Sequence, residues 1–338
     1  MTKFLKRILP RAAVDYLKRK RMIKSLIQST LRDVRRFYKE SSVFSTTRSE
    51  SSLESLVTID YHRLEKGLAL PNPRKGFGKT AVIDLQINLL MFIEEYGMKP
   101  VVHEAVRALD EYFNFNTSFI HDEPDLYDGY LELKELAEEK NCNFDATAGT
   151  EVTTRSAVLA AVQVDYRKFF ENRHSVRDFS GESVDDQIIK EAVSVAQQAP
   201  SVCNRQPWKV YCIKDDELVK KILTIQGGAR GFEDSPDKLL VVAVDLNAFH
   251  YVVERNESWV DGGIFTMSLL NALHAVGLAA CCLNWCVDDI RDGKLRGLLG
   301  IPEKEVLIVL IAVGHYPETF KVAASPTKAL DEVLIFYR

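Results

Sequence analysis

The chain has 338 residues, of which 46% are hydrophobic and 27% charged, with a net charge of −4 at neutral pH. That balance reads as a soluble globular protein long enough for two domains. It excludes a membrane-spanning protein, because no apolar run approaches the roughly 20 residues a span needs. The basic start, Met1 to Pro10, lacks the apolar core and small-residue cleavage site of a secretory signal. The six cysteines (142, 203, 212, 281, 282 and 286) and seven histidines show no zinc-ligand spacing. Reduced thiols and a cytoplasmic location are the simplest expectation.

The charge is unevenly spread. Residues 1 to 40 hold 13 Lys or Arg against 3 Asp or Glu, a local charge of +10, so the remainder carries −14. Phe4 to Tyr38 is predicted to be helical, with Pro10 breaking or kinking it near the start. Apolar residues such as Tyr16, Ile23 and Ile27 recur among Lys and Arg. Two readings stand. In one, residues 1–39 lie as a peripheral helix on an anionic membrane or partner surface; in the other, the helix packs one stripe on its own domain. Neither makes the whole protein a nucleic-acid binder.

Ser41 to Ser52 reads as a Ser- and Thr-rich linker. His62, Arg63, Glu65 and Lys66 then crowd one helical turn, ahead of a Pro-Asn-Pro and Gly-Phe-Gly loop ending at Gly78. This density of polar groups suits a recognition site, or equally a helix end with charges paired at i,i+3, as for His62 and Glu65. Residues 80–98, 100–114 and 126–140 read as amphipathic helices. Residues 1–160 are therefore expected to form a mostly helical accessory module with no catalytic signature.

A second domain is expected over 166–338. Ser183 reads as the N-cap of a helix that Pro200 stops. Trp208 to Ile213 alternates like a strand, Asp216 to Ile225 suits a short helix, and Gln226 to Phe232 is a glycine-rich loop. Lys238 to Val244 and Val306 to Val313 are buried strands. Asp261 to Val276 is a buried helix with Gly262 and Gly263 at its start, where another backbone can approach closely. Val333 to Tyr337 is a strand-like tail. Helices grouped between few strands predict an α+β sheet covered by helices.

The chemistry concentrates between Arg173 and Trp208. Arg-His-Ser-Val-Arg (Arg173 to Arg177) puts two guanidinium groups and a hydroxyl within five residues, a set of donors suited to a phosphate. Pro200 and Pro207 bracket Ser201, Asn204 and Gln206 in a stiff loop, a polar edge suited to a planar heterocycle.

These two runs, in this order, resemble the nitroreductase family of FMN-dependent oxidoreductases. The resemblance covers roughly residues 166–338 and does not reach the helical module. It implies an α+β fold, a nitroreductase-like mixed sheet flanked by helices and here preceded by a mostly α-helical N-terminal module. It implies that Arg173, Ser175 and Arg177 grip the FMN phosphate and ribityl chain, with His174 beside them. It implies that Pro200, Ser201, Asn204 and Gln206 lie along the isoalloxazine, usually of the partner subunit, and hence a homodimer. A backbone N–H of Asn284 or Trp285 would face flavin N5, although the Cys281-Cys282-Leu283-Asn284 run departs from the family's Pro-x-Glu-Gly pattern there. Arg230 either reaches the flavin edge or is a solvated loop residue. Lys321 or Lys328 stands in for the late cation that the family adds to the phosphate, and an Arg near Ser325 is missing. Cys281 and Cys282 read as small buried thiols rather than a redox pair. With no Gly-x-Gly-x-x-Gly after a strand, a Rossmann nicotinamide site is not indicated, so NAD(P)H would stack transiently on FMN.

The expected activity is ping-pong transfer of hydride from NAD(P)H through FMN to a small organic acceptor, of nitroaromatic or quinone type in vitro. Two rivals are an FMN-dependent dehydrogenase for a specific biosynthetic intermediate and a poorly catalytic flavin-binding scaffold or sensor.

Overall fold

A computed structural model describes residues 10–45, 47–70, 72–117, 121, 123–139, 146–152, 165–323 and 327–337. Four strands form one sheet: β1 (Trp208–Ile213), β2 (Lys238–Asp245), β3 (Leu278–Asn284) and β4 (Glu305–His315). They lie in the order β1-β2-β4-β3, and every neighbouring pair is antiparallel. The mixed sheet expected from sequence is thus antiparallel in its named strands. Parallel pairing is confined, among the described residues, to a single bridge between Ser175 and Ala280.

The sheet has a core on each face. All eight residues of β2 are buried, which is why it reads as a continuous apolar run rather than an alternating one. Leu240, Val242 and Val244 join one core and Leu239, Val241 and Ala243 the other, the period of two that a pleated strand imposes. The first face is covered by α7 (Asp186–Ala196) and α9 (Glu257–Ala275), the second by α8 (Asp216–Gln226) and α10 (Asp289–Leu299).

A separate core belongs to the helices before the sheet: α2 (Glu50–Leu68), α3 (Lys79–Tyr96), α4 (Pro100–Phe115) and α5 (Pro124–Glu139). Leu53, Leu64, Leu85, Leu109 and Tyr112 are at its centre. In the polar cluster on α2 the expected i,i+3 pairing is present: His62 pairs with Glu65 at 2.8 Å, and Arg63 with Asp60 at 3.0 Å.

The basic helix α1 (Arg11–Glu40), with Pro10 at its N-cap position, packs on the sheet half. Phe37 touches the α9-side core. Arg36 bridges Asp292 at 2.9 Å and Glu303 at 3.0 Å, and Arg32 pairs with Asp289. The part of the expected helix before Pro10 lies outside the described residues. So do the boundary near residue 160 and the position of Ser325. Among the described residues, no helix is long and apolar enough to cross a membrane.

Several expectations are corrected. Helix α7 is capped by Asp185, whose side chain accepts from Gln187 N–H at 2.8 Å, and not by Ser183. A carboxylate next to the first turn competes better than a hydroxyl two residues earlier. The Ser- and Thr-rich linker ends early, because Ser49 caps α2 and the helix runs from Glu50. Helix α10 was not foreseen. Val333 to Tyr337 forms no strand pairing among the described residues and is exposed. Gly262 and Gly263 sit inside α9, which starts at Glu257.

The close approach expected at Gly262 is present. A Cβ there would lie 2.6 Å from Ile308 Cγ1 and 3.0 Å from Val244 Cγ2, so α9 rests directly on β2 and β4. Gly262→Ala is expected to lift the helix off the sheet and lower stability by about 1–3 kcal/mol, measured by urea unfolding. An unchanged midpoint would show that Ile308 yields freely.

Candidate functional site

The site is built from three segments around the sheet. The first follows α6 (Tyr166–Asn172), whose N-cap Asp165 accepts from Lys168 N–H at 3.1 Å. The chain leaves α6 at Arg173 in extended form and runs along the free edge of β3. Val176 N–H donates to Ala280 O at 3.0 Å, and Ser180 N–H to His315 O at 3.1 Å. Buried Val176 and Phe179 anchor the run. Phe179 packs against Gly314, where a Cβ would come within 2.8 Å of its ring.

The polar residues of the run flank these anchors, with Arg173, His174 and Ser175 before Val176 and Arg177 after it. Arg173, His174 and Ser175 are half-buried and Arg177 is exposed. Arg177 donates to Ser175 O at 3.2 Å. Among the described residues, neither Arg173 nor Arg177 has a carboxylate within ion-pair distance. Both charges act on β3: Arg177 on Cys281, and Arg173 on Cys282. Even so, burial pushes both thiols upward in pKa, Cys281 adding to the effect on Cys282. They stay protonated at neutral pH, the reverse of an activated redox pair. Beyond the run, His274 Nδ1 lies 3.2 Å from Tyr316 Oη. Burial lowers the pKa of His274, and Arg173 and His174 lower it further.

The second segment is the loop from Pro200 to Trp208. Cys203, Asn204 and Gln206 have φ of 50°, 53° and 48°. Three non-glycine residues in the left-handed region within four positions constitute backbone strain, and surrounding contacts must hold it. Four contacts do so. Asp261 on α9 accepts from Val202 N–H at 3.1 Å. Ser201 Oγ accepts from Gln206 N–H at 3.0 Å. Pro207 O accepts from Asp245 N–H at 2.8 Å. The fourth is Arg205, whose fully buried guanidinium donates to Val202 O at 3.0 Å, to Ala248 O at 2.6 Å and to Glu254 at 2.6 Å. Asn204 and Gln206 are left half-buried and exposed respectively.

The third segment is the end of β3. The Asn284 side chain accepts from Cys286 N–H at 3.1 Å, so it caps the turn. Its carbonyl accepts from Gln226 Nε2 at 3.0 Å, which ties the glycine-rich loop to β3. Arg230 is exposed on that loop. The Trp285 indole N–H donates to Asp292 at 2.9 Å, the same carboxylate that holds Arg36 and Arg296. Lys321 and Lys328 are both exposed beyond β4. Lys321 follows Phe320, which packs on Tyr316.

Sequence reasoning missed the residues that hold the loop. Arg205 stood inside the recognised motif, but Glu254 and Asp261 carry no local signal. Also unforeseen is a cavity of about 570 Å3 between the two halves of the chain. Thr58, Tyr61 and Glu104 line one wall, and Asn204, Gln206 and Trp208 the other.

The profile of the nitroreductase family matches residues 170–230 and 226–315. A protein of Archaeoglobus fulgidus with the provisional name NADH dehydrogenase/NAD(P)H nitroreductase is 29% identical over 156 residues, 46% of this chain and 86% of its own length. Iodotyrosine deiodinase 1 of Mus musculus is 25% identical over 205 residues, 51% of this chain and 69% of its own. A provisionally named nitroreductase of Desulfovibrio desulfuricans, solved in complex with FMN, is 22% identical and superposes with a TM-score of 0.44 over 52% of this chain and 99% of that one.

The loop contacts give a pH signature. Burial pushes the Asp261 carboxyl up to about 6; Val202 N–H and Arg205 oppose the shift, and Glu257 adds to it. A carboxyl raised in the folded state costs nothing below its unfolded value near 4 and destabilises increasingly up to about 6. Asp261→Asn keeps the acceptor for Val202 N–H and removes that charge. Relative to the wild type, the variant is expected to gain of order 2–3 kcal/mol between pH 4 and pH 7, read from urea unfolding at both pH values. A pH-independent difference would show that Asp261 is solvated.

Proposed function

Residues 170–315 of this chain belong to the nitroreductase family, and on that premise we propose that the protein is an FMN-dependent oxidoreductase. The observation that carries the reading is the run Arg173 to Arg177. Two guanidiniums without carboxylate partners among the described residues lie beside β3, the strand that ends at Asn284, just before Trp285. The residues fit the cofactor. Arg173, Ser175 and Arg177 would hold its phosphate, with His174 alongside, and Lys321 or Lys328 would add a late cation. Pro200, Ser201, Asn204 and Gln206 would line its ring. The strained, tightly braced loop supports this role, because such strain clusters at ligand clamps. A backbone N–H at Asn284 or Trp285 would face N5, consistent with the Asn284 side chain being engaged in its own turn.

When bound, FMN supplies hydride transfer from NAD(P)H to an organic acceptor, of nitroaromatic or quinone type, in a ping-pong cycle. The five described cysteines are free thiols, in keeping with a reducing, cytoplasmic compartment. A second reading, dehydrogenation of a specific biosynthetic intermediate, is favoured by the cavity whose second wall comes from the helical module. The names of the relatives, NAD(P)H nitroreductase and iodotyrosine deiodinase, likewise cover different acceptors.

The purified protein is expected to be yellow with non-covalent FMN. The double variant Arg173→Ala/Arg177→Ala removes two charge-assisted contacts, each worth about 1.5–3 kcal/mol. It should lose FMN on dialysis while keeping the unfolding midpoint of the flavin-free wild type. Full retention of flavin would remove the assignment.

A homodimer belongs to the same proposal. Trp259, Val260, Ile264 and Met267 form an outward apolar face on α9. In the tail, Ile335, Phe336 and Tyr337 are 69–93% exposed. Apolar surface of this extent is unusual on a monomer. Sedimentation should give a dimer, and Ile264→Glu should shift it toward monomer with loss of flavin. A wild-type monomer that keeps its flavin at low concentration would contradict the dimeric site.

A further inference from the structure

Helix α1 is attached to the protein by a face other than its apolar stripe. Its inward side carries buried Val14 and Phe37, which packs on the core, together with the ion pairs of Arg36 to Asp292 and Glu303 and of Arg32 to Asp289. Its apolar stripe points away. Tyr16, Ile23, Ile27, Leu31, Val34 and Tyr38 are each 53–65% exposed. At about 100° per residue, all six fall within roughly 80° of the helix circumference, and Arg32 and Arg36 lie about 140–180° from the centre of that arc. The Tyr38 ring rests on Phe44, itself half exposed, at 4.9 Å between centroids, which extends the patch past the end of the helix.

The charges along the stripe select its occupant. Lys20 lies within the stripe and Arg19, Lys24 and Arg35 flank it; all four are exposed, and none has a carboxylate within ion-pair distance among the described residues. A second copy of the helix would bring another such set of unpaired cations into the same contact. An anionic bilayer offers both things the surface lacks, an apolar layer for the stripe and phosphate charges for its flanks. We propose that α1 docks this protein on the surface of an anionic phospholipid membrane. It would lie in the interface plane with the stripe inserted, while Arg32 and Arg36 hold the body above it. The proposal is independent of the flavin assignment.

The test is cosedimentation of the full-length protein with vesicles of phosphatidylglycerol and phosphatidylcholine, against pure phosphatidylcholine, at low and high salt. Ile27→Glu/Leu31→Glu interrupts the stripe, and Lys20→Gln/Lys24→Gln/Arg35→Gln removes positive charge on and beside it. All five positions are exposed, so thermal midpoint and sedimentation coefficient should stay as in the wild type. The wild type is expected to bind the anionic vesicles, with partitioning weakened about tenfold or more by salt and by either set of substitutions. Three results would overturn the proposal. The first is no binding to anionic vesicles. The second is equal binding to pure phosphatidylcholine, or retained binding in both variants. The third is dissociation of an oligomer by Ile27→Glu/Leu31→Glu, which would assign the stripe to a second copy.

Discussion

The buried Arg205–Glu254 pair is the contact on which the arrangement of the site depends. A guanidinium with no solvent exposure must have its donors satisfied. Here they go to Glu254 and to the carbonyls of Val202 and Ala248. Glu254 spends its remaining capacity on the backbone N–H groups of His250 and Tyr251. Burial disfavours the Glu254 charge, but Arg205 and these N–H groups outweigh it and leave its pKa below the usual carboxylate range. His250 in turn reaches Ser55 on α2, 2.7 Å away. Burial, with Arg205 nearby, takes that imidazole down to a pKa of about 4. It is neutral at physiological pH and adds no second positive charge beside the guanidinium. One ion pair thus braces the strained loop and links it to the helical half of the chain.

Asp292 plays the corresponding part on the other side of the molecule. It receives Trp285, Arg296 and Arg36 together. Arg296 also donates to the carbonyls of Pro302 and Glu305, which ties α10 to the entry of β4. The end of β3 and the root of α1 therefore meet at one carboxylate. Burial alone would raise its pKa, yet the hydrogen bonds and the two guanidiniums bring it below the usual range. Helix α1 is joined electrostatically to the strand that ends the candidate site, while its apolar stripe stays exposed.

Much of the fold was legible because it rests on local periods. The buried strands announced themselves as short apolar runs, and α3, α4 and α5 as amphipathic stretches with ends within a few residues of those observed. The errors fall where a local rule had a competitor. Ser183 was a plausible cap, but Asp185 stands closer to the first turn. Gly262 looked like a helix start because glycine weakens helices, whereas here a close packing contact within α9 requires it. Val333 to Tyr337 has strand composition but forms no strand pairing among the described residues. Residues 41–52 were read by composition, which hid the Ser49 cap and the onset of α2.

The residue types and spacing of Arg173–Arg177 and Pro200–Trp208 were sufficient by themselves to indicate the kind of chemistry, since phosphate and planar rings demand those donors. They could not say which arginines remain available. Arg36, Arg173, Arg177 and Arg205 carry the same group, and sequence alone does not tell them apart. The partners that distinguish them come from afar: Glu254 lies 49 residues from Arg205, and Asp292 lies 256 residues from Arg36. Sequence determined where positive charge and apolar surface occur. Tertiary structure decided which charges are neutralised inside the protein and which face outward, because burial and ion pairing depend on proximity in space rather than along the chain.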